Sequence, residues 1–142
     1  TVKVDGATSS TFTFEDCDYY EDQGAQFWCV VSNPAGSVTS DTATLAVQID
    51  EPEITNHPGN KTGKAGESVT FSVKAEGIGL EYQWYAKNDR YGTVKVDGAT
   101  SSTFTFEDCD PYEDQGAQFW CVVSNPAGSV KSDTATLTVI MP

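Results

Sequence analysis

The sequence predicts an all-β sandwich, and three observations carry that prediction. Apolar residues recur at every second position in several short stretches, glycine- and proline-bearing turns separate the stretches, and no segment keeps a helical period over a useful length. Period-two stripes rich in valine, threonine and aromatics mark half-buried antiparallel strands. Short strands at this spacing bury a core only as a sandwich or a barrel.

The strands follow in order. Residues 68–75 (SVTFSVKA) set Val69, Phe71, Val73 and Ala75 on one face, and residues 81–87 (EYQWYAK) align Tyr82, Trp84 and Ala86. Residues 103–106 place Phe104 with Phe106, residues 117–124 (AQFWCVVS) place Phe119, Cys121 and Val123 together, and residues 132–140 align Ala135, Leu137 and Val139. Between them, Lys64-Ala-Gly, Glu76-Gly-Ile-Gly, Asp97-Gly and Asn125-Pro-Ala-Gly are turn chemistry.

An internal repeat reorganises the 142-residue chain. Residues 1–47 and 93–139 differ only at Tyr19/Pro111, Thr39/Lys131 and Ala46/Thr138. The offset of 92 residues divides the chain into a complete repeat, 51–142, and the last half of a preceding one, 1–50. Near-identity of this kind marks a tandem array. The N-terminus, Thr1-Val2-Lys3, carries no apolar signal segment, and the expectation is a chain that was processed or cut from a longer one.

Charge narrows the partners. The chain holds 21 acidic and 8 basic residues, a net charge of −13, which argues against nucleic acid and against an acidic membrane surface. No apolar run approaches the roughly 18 residues of a membrane-spanning helix, so no membrane insertion is expected.

The order of landmarks resembles an immunoglobulin-like domain of the I-set kind. A strand ending VTFSVKAEG precedes Trp84, and DQGAQFWC and VVSNPAGSV follow. The resemblance is nearest to versions found in bacterial secreted and cell-surface proteins. It implies an immunoglobulin-like β-sandwich over 51–142, preceded by the C′, E, F and G strands of an identical repeat over 1–50. It further implies Trp84 as the core tryptophan of strand C and Cys121 as the cysteine of strand F. Val73 stands where the strand-B cysteine usually sits, and Phe119 where the corner tyrosine sits. The usual inter-sheet disulfide and corner hydroxyl bond are therefore absent, and packing must supply more of the stability.

Each copy carries two cysteines, Cys17 and Cys29, then Cys109 and Cys121. Two readings stay open. One is a Cys109–Cys121 bridge echoed by Cys17–Cys29, which would stabilise by roughly 3 kcal/mol if unstrained. The other is buried free thiols acting as small hydrophobes. Zinc is disfavoured by the spacing and by the remoteness of His57, the only histidine.

Nothing in the sequence assembles a catalytic constellation, and neither an enzyme nor a cofactor is expected. Residues 107–114 and 15–22 are densely acidic. Glu107, Asp108, Asp110 and Glu113 form a weak calcium candidate, and a solvated acidic loop is the preferred reading, so no metal is assigned. Asn60-Lys-Thr62 matches an N-glycosylation sequon. If Cys121 and Trp84 face inward, then Trp120 with Gln118, and Tyr85 with Gln83, face outward on neighbouring strands; Trp28 and Gln26 repeat the first pair. Neighbouring exposed aromatics suit an interface or a sugar platform, against the alternative of tryptophan lying flat over lysine or threonine stems.

Residues 1–50 lack strands A, B and C, so Phe12, Phe14, Phe27, Val31, Leu45 and Val47 form an uncovered apolar face. The expected source of cover is upstream sequence in a longer array, with strand complementation between chains as the alternative. The junction through Pro52 is short and stiff, which suits a rod gaining about 40 Å per domain. The functional expectation is a non-enzymatic structural or adhesive repeat of an extracellular or cell-surface rod, stalk or filament. Its partners would be neighbouring repeats or other copies, with a surface protein or glycan as candidate ligands. The alternative is an accessory carbohydrate-binding module of a secreted enzyme.

Overall fold

A computed structural model of the chain describes residues 1–90 and 92–141. Two compact units are present, Thr1–Gln48 and Ile49–Pro142.

Within Thr1–Gln48 the elements are a one-turn helix α1 (Tyr19–Asp22) and strands β1 (Gln26–Phe27), β2 (Val30–Asn33), β3 (Gly36–Thr39) and β4 (Ala43–Thr44). Asp18 caps α1, its Oδ1 accepting from the backbone N–H groups of Tyr20 and Glu21. This turn is more helical than the sequence suggested; the same cap at Asp110 in the second unit closes a turn without a helix, with Pro111 in place of Tyr19. β2 and β3 close a hairpin over Asn33, whose Oδ1 accepts from the Ala35 N–H at 2.8 Å, and β1 pairs antiparallel with β4. Phe12, Phe14 and Phe27 gather into a ring cluster with centroids 5.3 to 6.4 Å apart. Phe12, Phe14, Trp28, Val30, Val31 and Val38 remain exposed.

This unit corrects one expectation. Residues 1–4 and 11–14, read as the C′ and E strands, hold no strand, and the F strand is broken into β1 and β2. The second unit supplies the reason, because there the equivalent stretches pair with strands that 1–48 does not contain.

That second unit runs β5 (Glu53–Asn56), β6 (Lys61–Lys64), β7 (Val69–Ser72), β8 (Lys74–Glu76), β9 (Glu81–Asn88), β10 (Gly92–Lys95), β11 (Thr103–Phe106), β12 (Gln118–Asn125), β13 (Gly128–Lys131) and β14 (Ala135–Ile140). One sheet has the order β10-β9-β12-β14-β6, with β13 also on β12. β6 joins β14 in parallel and the other pairs are antiparallel. Facing it, β11 pairs with β7, and β8 pairs with β5. The stretch 68–75, expected as one strand, is interrupted at Val73, whose N–H donates to the carbonyl of Ser102. β10 is held by β9 and β11 by β7, so both depend on residues 51–92.

The core lies between the layers. Trp84, Phe71, Phe119, Leu137 and Val123 are fully buried, and Val73 is buried beside them. Phe119 meets Phe71 at 4.9 Å and Phe106 at 5.2 Å, while Phe104 bridges Phe119 and Trp84. The indole Nε1 of Trp84 donates to the Ser101 carbonyl at 2.8 Å, which satisfies its only polar atom. β6 comes close at Gly63, where an added Cβ would stand 2.6 Å from Val69 Cγ2.

All four cysteines are free thiols. The bridge reading is therefore not the state of this structure, for either copy. Cys109 and Cys121 are both buried but turn to different partners. Cys109 Sγ donates to the Lys64 carbonyl at 3.1 Å, at the β6 end of the core. Cys121 sits opposite Trp84 in the β12–β9 register, and its backbone N–H donates to Ser132 Oγ at 2.9 Å. Burial pushes the Cys121 thiol up to about 11 from 9.0, only partly offset by a backbone hydrogen bond from Gln83. Cys17 and Cys29 are exposed.

Candidate functional site

Strand alternation presents one side of β9, β10, β12 and β13 to solvent. Buried Trp84 on β9, and buried Phe119, Cys121 and Val123 on β12, fix the inward parity, so Tyr85, Trp120 and their same-face neighbours point outward. The register then aligns a row across the sheet, with Trp120 opposite Tyr85 and Tyr85 opposite Lys95. On the far side of β12, Lys131 is opposite Val122, one step diagonal from Trp120.

The side chains use this placement. The Tyr85 and Trp120 rings stack at 5.9 Å between centroids with planes 8° apart. Lys131 Nζ lies 4.6 Å from the Trp120 ring centroid, a cation–π contact. Tyr85 and Lys131 flank Trp120 from opposite strands, so the indole is half-buried in a Tyr–Trp–Lys stack rather than lying open. Gln83, opposite Val122, is held by its own Nε2, which donates to the Val96 carbonyl at 2.7 Å and the Trp84 carbonyl at 3.0 Å. Gln118 is opposite Lys87 in the next row. Beside Tyr85 lies an open hollow of about 580 Å³ whose lining includes Tyr82, Gln83, Lys95 and Val122.

Lys87, Lys95 and Lys131 are exposed on this side. Among the described residues, Glu81 is the one carboxylate at the outward positions of these four strands. An acidic chain thus carries a locally basic, aromatic face. Sequence reasoning placed Trp120, Tyr85, Gln118 and Gln83 on one side and missed the lysines that frame them. The signal was available, because Lys131 is one of the three positions at which the copies differ. The matching residue in the first copy is Thr39, and Trp28 there is 45% exposed.

In the acidic segment, two carboxylates serve the backbone. Asp110 Oδ1 accepts from the N–H groups of Tyr112 and Glu113, and Asp114 Oδ2 accepts from the Asp110 N–H at 2.7 Å. Asp108 holds a left-handed φ of 52°, as does Asp16 in the repeat. Arg90 Nη1 approaches Glu113 Oε1 at 3.7 Å. Glu107 and Asp108 are exposed, and Tyr112 is 86% exposed at the tip. Among the described residues no group of three or more histidine, cysteine, aspartate or glutamate side chains could hold a metal ion. His57 Nδ1 accepts from the Asp133 N–H at 2.9 Å, and Asn60 Oδ1 accepts from the Thr136 N–H at 2.8 Å, so both side chains tie β5–β6 residues to the 132–136 stretch. No described helix is long and apolar enough to cross a membrane.

Residues 52–139 match the immunoglobulin I-set domain. The chain is 32% identical over 127 residues to the Muscle M-line assembly protein unc-89 of Caenorhabditis elegans, covering 85% of this chain and 2% of that protein. It is 30% identical over 109 residues to Cartilage intermediate layer protein 2 of Mus musculus, covering 73% of this chain and 9% of that protein. Endoglucanase C of Cellulomonas fimi is 26% identical over 140 residues, 98% of this chain and 12% of that protein. Among solved structures, the I-band fragment I67–I69 from titin superposes with a TM-score of 0.57 at 20% identity, covering 82% of this chain and 42% of that one. That likeness speaks for the fold alone, and the chain spans only a small part of the relatives it matches. With more than half of its residues matched by one domain, the chain belongs to the immunoglobulin I-set domain family.

Proposed function

We propose that this chain is part of a tandem immunoglobulin-like array with a structural or adhesive role in an extracellular or cell-surface rod, stalk or filament. The observation that carries the reading is the repeat itself, since residues 1–47 and 93–139 differ at three positions. A rod needs many equivalent spacers, and near-identical copies are what such a requirement maintains. The apolar face around Phe12, Phe14 and Phe27 is covered in the array by strands patterned like β7 and β9, as Phe104, Phe106 and Phe119 are covered in the complete unit. The outward face of Trp120 and Tyr85 serves contact with neighbouring repeats or other copies. No catalytic role, cofactor or metal is assigned. Electron microscopy of the native material tests the reading. Fibres with an axial repeat of about 40 Å, one domain length, are expected, and a dispersed population of isolated globular particles would refute it.

A second reading draws on the Endoglucanase C relative, matched along 98% of this chain. It makes the chain an accessory sugar-binding module of a secreted enzyme, with Trp120 and Tyr85 as platform. The Tyr–Trp–Lys stack weighs against it, because Tyr85 and Lys131 already engage the indole. Glycan-array binding that disappears in Trp120→Ala would promote this reading over the first.

A further inference from the structure

We propose that the outward face of β9, β10, β12 and β13 docks the acidic segment 107–114, or its repeat 15–22, of a second copy of this chain. The inference rests on the reading of that face as an interface and names its partner.

Charge complementarity is the main argument. The face gathers Lys87, Lys95 and Lys131 around Trp120 and Tyr85, with Glu81 as its one carboxylate among the described residues. These are three of the eight basic residues in a chain of net charge −13. A face of this sign is conspicuous there, and its natural complement is acidic. The same chain supplies that complement twice, as five carboxylates in eight residues at 107–114 and again at 15–22.

The shape of the segment fits as well. Asp110 and Asp114 are spent on their own backbone, which rigidifies the turn and directs Glu107, Asp108 and the Tyr112 ring outward. Tyr112 is 86% exposed, and Tyr20 in the repeat is 62% exposed. An aromatic ring flanked by carboxylates fits a hollow beside the Tyr85–Trp120 stack whose lining offers Tyr82, Gln83 and Val122 to the ring and Lys95 to a carboxylate, with Glu81 as its one acidic member. A sugar polymer would compete for an indole that Tyr85 and Lys131 already engage.

The geometry of such a contact has a consequence for assembly. A face meeting a different patch on the next copy is heterologous, and heterologous contacts propagate as open chains unless the rotation closes a ring. Two acidic segments per chain allow lateral bundling of neighbouring arrays as well as end growth.

The test uses the full 142-residue chain. Equal amounts of ¹⁴N- and ¹⁵N-labelled chain are mixed, treated with a zero-length carbodiimide crosslinker, and mapped by mass spectrometry for mixed-isotope peptides. The expected products join Lys95 or Lys131 to Glu107, Asp108 or Glu113, or to Glu15, Asp16 or Glu21. Their yield falls on the order of tenfold between about 0.05 M and 0.5 M salt, as screening shortens. Because K95E/K131E removes the reacting amines themselves, it is read by sedimentation, where the wild type self-associates at low salt and the double variant does not. Mixing it with a chain carrying E15K, E21K, E107K and E113K restores a crosslinked hetero-pair that neither variant forms alone. The exposed phenylalanines of Thr1–Gln48 offer a competing association, but an apolar one that salt strengthens rather than weakens.

Three results would overturn the proposal. One is a chain that forms no mixed-isotope crosslinks at low salt. A second is self-association, read by sedimentation at low salt, that persists unchanged in K95E/K131E. The third is capture of soluble polygalacturonate by the wild-type face without any self-association, which would assign the face to an anionic glycan. Association that survives K95E/K131E but is lost in Trp120→Ala keeps the face as an interface while rejecting its acidic partner, so the two readings fail separately.

Discussion

Ser132 and Ser40 occupy matching positions in the two copies and make the same pair of hydrogen bonds, which allows one substitution to be tested in two environments. Ser132 Oγ accepts from the Cys121 N–H at 2.9 Å and donates to the Asp133 carbonyl at 2.9 Å; Ser40 does the same for Cys29 and Asp41 at the same distances. Ser132 is 4% exposed and Cys121 is fully buried, whereas Ser40 and Cys29 are exposed. Ser132→Ala strands a buried N–H without an acceptor, and that costs about 1–3 kcal/mol. Ser40→Ala hands the equivalent N–H to water and changes stability by about 0.5 kcal/mol or less. With a urea slope of about 1–2 kcal/mol/M for a domain of this size, Ser132→Ala lowers the unfolding midpoint by about 0.5–3 M. The assay is urea unfolding followed by tryptophan fluorescence, with amide exchange read at Cys121 and Cys29. In the wild type, the Cys121 amide exchanges only with unfolding of the sandwich, and the Cys29 amide exchanges freely. Equal midpoint shifts in the two variants, or none in Ser132→Ala, would refute the argument that burial rather than the bond itself sets the cost.

Three further predictions follow from the same contrasts. In native chain at pH 8, Cys17 and Cys29 react with iodoacetamide, while Cys109 and Cys121 stay protected until denaturant is added. All four then label without any reductant, as counted by intact mass. The raised Cys121 thiol also gives stability a pH slope. Above pH 9 the unfolded chain sheds a proton that the folded chain keeps, so stability falls as pH climbs from 9 towards 11. The difference between wild type and Cys121→Ala in urea midpoints at pH 8 and pH 10.5 isolates that contribution from lysine and tyrosine titration. Gly63→Ala places a methyl 2.6 Å from Val69 Cγ2 and 3.4 Å from Cys109 Sγ, and destabilises by about 1–3 kcal/mol in the same assay. Pairing it with Val69→Ala recovers part of that loss if the clash is the cause.

Most of the fold was legible because each strand advertises its buried face. Val69, Phe71, Trp84, Phe119, Cys121, Val123, Leu137 and Val139 alternate with polar residues, and all of them are buried in the second unit. The turns were legible for the same local reason. Asn125 Oδ1 accepts from the Ala127 and Gly128 N–H groups, and Asn33 repeats the first of these bonds, without any tertiary help. What the pattern could not show was the interruption at Val73, which makes the last bond of the β11 ladder before the chain changes partner to β5. The lysine frame of the outward face was equally hidden. Alternation puts Lys131 and Trp120 on one side, but the diagonal that brings Nζ over the ring depends on the β12–β13 register.

The two copies separate the contributions of sequence and tertiary structure directly. The sequence alone determined the features closed within a few residues, which form in both copies. These are the Asp18 and Asp110 caps, the left-handed Asp16 and Asp108, and the β2–β3 and β12–β13 hairpins. Only the tertiary structure decided whether residues 93–95 and 103–106 become strands, whether the F strand runs unbroken, and whether its cysteine is buried. Those outcomes require β7 and β9, which pair with β11, β10 and β12 in the second unit and have no counterpart within Thr1–Gln48. The physical reason is that a strand has no internal hydrogen bonds. It becomes a strand only when a neighbour supplies the ladder and an opposite layer takes its apolar face out of water.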